Sequence, residues 1–258
     1  MNSTIETIDN RVSLRRYKDK KIEEDDLNQI IESAMRAPTA GNMMLYSILV
    51  IKNKETKKIL SKTCDNQPFI AKAPVVLIFL ADFQRIFDYF GVSNLKEYCK
   101  RENRDLPNPK FANLFLAGGD AFIAAQNAVI AAESMGIGSC YIGDIIENYE
   151  DKKALLNLPK YTLPLTMLTL GYYPEDFKKS KSKRFEKDYI VFEEKYKRLS
   201  EKDLKDMYKG KEEKMKKKNR YNAENYGQYI YARKFDTDFF KEMERSLQVM
   251  INNWLENK

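Results

Sequence analysis

Apolar residues Leu27, Ile30, Ile31, Ala34 and Met35 recur three and four positions apart, which predicts an amphipathic helix. It opens on the acidic run Glu23–Asp26, suited to the positive end of a helix dipole, and should stop at Ala37 ahead of Pro38. LYSILVI over residues 45–51 is short, apolar and rich in branched side chains, so it reads as a buried strand. APVVLIFLAD over 73–82 and LPLTMLTLGY over 163–172 read as two more strands. Residues 83–109 mix aromatics, charges, Asn and Pro and predict an irregular insertion with a short helix over 95–100. A long helix is expected over about 120–135, closed by Gly136, with GSCYIGDI following as a turn.

After Arg184 the pattern turns charged and helical. It closes on a wide apolar stripe of Phe239, Phe240, Met243, Leu247, Met250, Ile251 and Trp254, with Asp236 as the expected N-cap. Such a stripe needs cover, from the chain's own core or from a partner subunit. Strands separated by helices point to a layered α/β or α+β fold. The expected division is a main domain over residues 1–200 and a helical C-terminal extension over 201–258.

Composition narrows the chemistry. A 258-residue chain that is 43% hydrophobic can bury a sizeable core. The N-terminal MNSTIETIDNR carries no apolar leader, and the most apolar stretch, residues 112–136, contains Asp120, Gln126, Asn127 and Glu133, so the expectation is a cytoplasmic protein without a membrane span. Cys64, Cys99 and Cys140 are far apart and odd in number, which offers neither a disulfide framework nor a zinc ribbon. The chain has no histidine, which excludes a Ser-His-Asp triad, a Cys-His pair, an HExxH zinc site and an imidazole base. Its charge of +7 comes from 45 basic and 38 acidic residues, mostly interspersed. KKSKSKRFEK (178–187) and KEEKMKKKNR (211–220) are basic runs that read as solvated loop or helix face, and no nucleic-acid module accompanies them.

Several short stretches could carry a ligand. In RVSLRRYK an extended backbone puts Arg11, Ser13 and Arg15 on one face and Val12 and Leu14 on the other. Two guanidinium forks around a hydroxyl suit a phosphate, although an exposed edge strand has the same pattern. Pro38, Thr39 and Asn42 in RAPTAGNMMLYS could line a flat, partly polar ligand or simply join a helix to a strand. GIGSCYIGDI has three glycines that let backbone N–H groups approach a ligand, or that make a tight turn; it lacks the GxGxxG order of a dinucleotide site. Gln67 precedes the second strand, and KSKSKR could bring Lys183 and Arg184 to a phosphate.

Taken together and in this order, these stretches resemble the FMN-dependent nitroreductase family along nearly the whole chain, in particular its larger NADPH-preferring, oxygen-insensitive branch. The matching features are R-x-S-x-R-x-Y, APTAGN before a strand, QPFIAKAPVV, the block GGDAFIAAQNAVIAAESMGIGSCYIG and LPLTMLTLGYYPE. The resemblance implies an α+β fold with a central mixed, mostly antiparallel sheet flanked by helices in three layers. It implies FMN as cofactor, with Arg11, Ser13 and Arg15 on its phosphate and ribityl chain, Lys183 (or Lys181) and Arg184 closing on the same phosphate, and Gln67 beside the flavin's polar edge. Tyr141, Ile142, Gly143 and Asp144 match the turn facing flavin N5 and O4, with Asp144 where glycine is common, and Glu186 stands where the family has proline. Pro38, Thr39 and Asn42 match a loop supplied by the other subunit, implying a homodimer with shared sites. The implied reaction is ping-pong: hydride from NADPH or NADH to FMN, then electrons to a nitroaromatic, a quinone or a flavin, with no side chain assigned as catalytic and no metal. Flavin-cleaving or dehalogenating relatives, or a flavin-binding protein without turnover, are the alternatives.

Overall fold

The computed structural model describes residues 2–216 and 218–256, so Lys217 of the second basic run lies outside the described residues. The chain divides into two compact units, one of residues 1–179 with 242–258 and one of residues 180–241.

In chain order the first unit contains α1 (Ser3–Asn10), α2 (Glu24–Met35), β1 (Tyr46–Ile51), α3 (Lys54–Thr63), α4 (Pro68–Lys72), β2 (Val75–Asp82), α5 (Gln84–Val92), α6 (Leu95–Arg101), α7 (Phe111–Ser134), β3 (Ile137–Ile142), α8 (Tyr149–Leu155) and β4 (Thr162–Tyr172). The second holds α9 (Glu201–Glu212) and α10 (Tyr226–Lys234); α11 (Asp238–Leu255) starts in the second unit and returns to the first.

The strands form an antiparallel sheet in the order β1-β2-β4-β3. A single parallel bridge, Ser13 to Ser139, adds the N-terminal segment beside β3. Every residue of β2 is buried, which is why its sequence is a continuous apolar run. Its side chains alternate between two cores. Val75, Leu77 and Phe79 pack with Leu27, Ile30 and Ala34 of α2 and the alanines of α7; Val76, Ile78 and Leu80 pack with Leu60 of α3 and Ile70 of α4. Helices on both faces of the sheet give the three layers that the α+β reading expects. The alanine run Ala121, Ala124, Ala125, Ala128 and Ala132 lets α7 lie close against the sheet. By length and hydropathy α7 resembles a membrane span, but this buried face makes it a core helix.

Four expectations change. GSCYIGDI is a turn only at its end, over 143–145: residues 137–142 are β3, with Ile137 and Tyr141 on the α7 side and Cys140 and Ile142 on the other. Its first interior glycine serves close packing instead, because a Cβ on Gly138 would lie 2.6 Å from Leu14 Cδ2. The irregular insertion is helical over α5 as well as over the short helix expected at 95–100, which is α6, and Phe83, Ile86, Phe87 and Phe90 pack into a third cluster. Helix α7 begins at Phe111, well before residue 120. The cap of α11 is Thr237, whose Oγ1 accepts from the Phe240 N–H at 3.1 Å, and not Asp236.

The C-terminal stripe is covered in part by its own chain. Met250 and Trp254 are each 1% exposed within the third cluster, the Trp254 indole N–H donates to Lys110 O at 3.2 Å, and Glu242 accepts from the Asn148 N–H at 3.0 Å.

Candidate functional site

The segment over residues 11–18 meets β3 at Ser13 and Leu14 and reaches β4 at Tyr17 and Lys18. The Leu14 N–H donates to Ser139 O at 2.9 Å, and the Lys18 N–H reaches Tyr172 O at 2.9 Å. Val12 and Leu14 point inward, at 9% and 0% exposure, while Ser13 and Arg15 are exposed and Arg11 is half-buried. Two glycines paired across β3 and β4, Gly138 and Gly171, make this approach possible: a Cβ on Gly171 would fall 2.5 Å from the Tyr17 ring. Tyr17 is then fixed by its hydroxyl, which donates to Thr169 Oγ1 at 2.7 Å. The buried Cys140 thiol donates to Tyr141 O at 3.5 Å; burial pushes it up from its ordinary range, and Arg15, Ser13 and Arg11 oppose the shift. Arg15 also lies over the Phe69 ring of α4, 5.8 Å from its centre. Arg16 turns away to pair with Asp176 at 3.0 Å.

At the end of β3, Tyr141 and Ile142 lead into a 3-10 turn, Gly143–Ile146. Gly143 is exposed, and a Cβ placed on it would meet nothing within 4 Å, so bare backbone faces open space. Beside it Gln67, the N-cap residue of α4, donates from Nε2 to Asp144 Oδ2 at 2.8 Å and to Cys64 O at 3.1 Å. Beneath the turn, Lys152 is fully buried and donates to Asp144 O at 2.7 Å, Thr63 O at 3.0 Å and Glu147 O. Burial and the nearby Asp144 push the Glu147 carboxyl up to about 7. The same burial pushes the Cys64 thiol up to about 11 and holds the Lys152 ammonium below its usual range.

Pro38, Thr39 and Asn42 lie elsewhere. They precede β1, at the opposite edge of the sheet from β3, with β2 and β4 in between. At about 4.8 Å per strand that separation is roughly 14 Å. The loop is unusual in its own right: Gly41, Asn42 and Met44 all have left-handed backbones, with φ of 54°, 57° and 51°. Two side chains hold it there. Asp120, 3% exposed, accepts from the N–H groups of Ala40 (2.9 Å) and Leu45 (3.0 Å), and Arg85 donates to the carbonyls of Met44 (2.5 Å) and Tyr46 (3.1 Å). Non-glycine residues held at such φ mark positions that the surroundings over-determine, a frequent property of ligand-contacting loops.

Lys183 and Arg184 belong to the second unit. Both are exposed in a loop, and Lys183 pairs with Glu186 at 3.2 Å. One chain therefore brings together Arg11, Ser13, Arg15, Gln67 and the 141–144 turn, and does not bring Pro38, Thr39 or Asn42 to them. Pattern reading missed Asp120, Arg85 and Lys152 as holders of these loops. Asp120 had a signal, since a lone carboxylate in an alanine-rich helix must be buried with donors. Lys152 had none, because Lys153, only half-buried, stands beside it in the same charged helix.

Comparison with known proteins gives the family. The family model described as Nitroreductase family matches residues 8–172. The chain is 33% identical over 196 residues to the FMN reductase [NAD(P)H] of Bacillus subtilis, covering 76% of this chain and 75% of that protein. It is 31% identical over 204 residues to the oxygen-insensitive NADPH nitroreductase of Salmonella typhimurium, covering 79% of each. The solved structure of NfrA2 from B. megaterium superposes with a TM-score of 0.77 at 30% identity, covering 97% of this chain and 98% of that one. Residues 11–15, the 141–144 turn and all four strands lie inside the matched residues, and the chain belongs to the nitroreductase family.

Proposed function

We propose that this protein is an NAD(P)H-dependent FMN oxidoreductase that passes electrons to an electron-poor acceptor of the nitroaromatic, quinone or flavin class. The observation that carries the reading is the row Arg11, Ser13, Arg15 bridged at Ser13 to β3, the strand that ends in the open backbone of Gly143 beside Gln67. These residues fit FMN in chemical order: guanidinium forks and a hydroxyl for a phosphate, then backbone N–H and an amide for the flavin's polar edge. The relatives' names, FMN reductase and NADPH nitroreductase, support the same cofactor and donor. Bound there, FMN supplies hydride acceptance and donation at N5. Arg11 and Arg15 hold the dianion, Ser13 donates to it, and the N–H groups of the 143–144 turn oppose negative charge on the ring edge. Protons come from solvent, so no side-chain acid is assigned, in keeping with a chain that has no histidine.

The same reading makes the protein a homodimer with the FMN site at the interface, Pro38, Thr39 and Asn42 coming from the partner. Two observations support this: those residues sit at the far sheet edge from the cradle, and α7 leaves Phe111, Phe115, Leu116, Phe122 and Ile123 exposed opposite its buried alanine face. An apolar patch of that kind on a folded unit marks an interface. The three cysteines are free and buried, in keeping with a cytoplasmic location. The test is to strip the protein, reload it with FMN and add NADPH or NADH without oxygen. Stoichiometric uptake followed by loss of the flavin's visible absorbance is expected; failure to take up FMN refutes the reading.

A further inference from the structure

The Gln67 side chain is committed before any ligand arrives. Its amino group has two hydrogens, and each meets a group that can only accept: Cys64 O at 3.1 Å and Asp144 Oδ2 at 2.8 Å. Turning the amide over would set Oε1 against a carbonyl and a carboxylate, so the orientation is fixed by its partners' chemistry. Oε1 is then the group left over, and it has no hydrogen bond among the described residues. Asp144 is itself held in place, since its carbonyl accepts from the fully buried Lys152.

Resting on the FMN reading above, we infer that Asp144 is a positioning residue that makes Gln67 an acceptor-only contact, so that the site reads an N–H of the flavin ring. Most of the flavin's polar edge is acceptor: O2, O4, N1 and, when oxidised, N5. The N–H present in both oxidation states is N3–H, and it is the complement of Gln67 Oε1. An unrestrained glutamine could turn to donate to O2 or O4 and would tolerate a flavin without that hydrogen. Asp144 removes this freedom at the position where the family resemblance leads one to expect glycine.

The test is binding, without turnover. Apoprotein is titrated with FMN and with 3-methyl-FMN, following flavin fluorescence, for the wild type, Asp144→Asn, Asp144→Ala and Gln67→Leu. The wild type should prefer FMN by tenfold or more. Asp144→Asn should keep that preference, because its amide oxygen accepts the same N–H, whereas Asp144→Ala should lower it at least threefold and Gln67→Leu should abolish it. An Asp144→Ala protein as selective as the wild type overturns the inference. So does an Asp144→Asn protein that loses as much as the alanine variant, or a Gln67→Leu protein that keeps the preference; this last variant decides the matter if Asp144→Ala does not fold. Wild type that binds both flavins equally removes this inference alone, while wild type that binds neither removes the oxidoreductase reading as well.

Discussion

The two units are built on different principles. In the first, a sheet is sandwiched between helices, and whole side-chain rows on β2 and β4 are buried. In the second, α9 and α10 contain no buried residue, and the contacts are local caps and pairs of rings such as Tyr208 with Tyr226 and Tyr221 with Tyr229. Burial of apolar area scales with stability, so the first unit carries most of the folding free energy, and residues mounted on it are held firmly. Residues of the second unit can bring charge or an aromatic face to a ligand but have little to fix them. The cradle and the 141–144 turn belong to the first kind of structure, Lys183 and Arg184 to the second.

Removing a ring from each unit breaks the comparison most sharply. Trp254 is 1% exposed, stacks edge-on to Tyr161 at 5.6 Å and lies 6.5 Å from Phe83. Trp254→Ala should cost about 3–5 kcal/mol, lowering the melting temperature by roughly 10 °C. Tyr226→Ala, which removes half-buried ring contacts in the second unit, should cost about 1 kcal/mol. Thermal melts followed by circular dichroism measure both, and equal losses would show that the second unit is as well built as the first.

For cofactor retention the same contrast applies. Arg15→Ala removes a cradle guanidinium and should weaken FMN binding by about 1.5–3 kcal/mol, roughly ten- to a hundredfold, with the melt of the apoprotein little changed. Lys183→Ala should weaken it less than about threefold, because its ammonium is exposed and already shared with Glu186. Titration of apoprotein with FMN tests both; a lost fold with intact flavin affinity would contradict the cradle.

How the cradle is mounted can be probed without touching a charge. Gly138→Ala places a methyl 2.6 Å from Leu14 Cδ2 and 2.8 Å from the Tyr173 ring, both part of a packed wall. Overpacking of this kind costs about 1–3 kcal/mol and should push residues 13–15 off β3. The expected sign is a lower melting temperature together with weaker FMN binding, whereas Gly143→Ala, which meets nothing within 4 Å, should leave the melt unchanged.

Periodicity was enough where burial decides the residue. The alternation of Val12 and Leu14 with Arg11, Ser13 and Arg15, the runs that became β2 and β4, and the α2 stripe all come from one rule, that apolar side chains face the core; β1, read as a buried strand, is an edge strand on which only Tyr46 is buried and Val50 is 39% exposed. It failed at β3 because Gly138 is there to admit Leu14 from another segment, a long-range cause that looks locally like a turn. It failed at α5 because its apolar positions pack in one cluster with Trp254 and Tyr161, far along the chain, whereas the short helix expected over 95–100 is α6. The row of cradle residues was legible as a pattern, and the family resemblance gave it a ligand. The orienting bond from Gln67 to Asp144, and Lys152 beneath it, depend on three segments meeting at residues 64–67, 144–147 and 152, which no spacing encodes.

That buried polar cluster yields the smallest expected effect, one that depends on pH. Glu147 is 4% exposed, and its carboxyl is pushed up to about 7 by burial and by Asp144, against the partial relief of Lys152 and the Asp65 N–H at 3.0 Å. A carboxyl raised in the folded state binds its proton more tightly there than in the unfolded chain. Its contribution to stability is therefore full below its unfolded value near 4.5 and is lost as pH rises through about 7. Glu147→Gln keeps an acceptor for the Asp65 N–H and removes the titration. Wild type should lose stability between pH 5 and pH 8 by on the order of 1 kcal/mol more than Glu147→Gln. Thermal melts of the two proteins at both pH values measure the difference, and parallel losses would mean that Glu147 stays ionised beneath the turn, held so by Lys152.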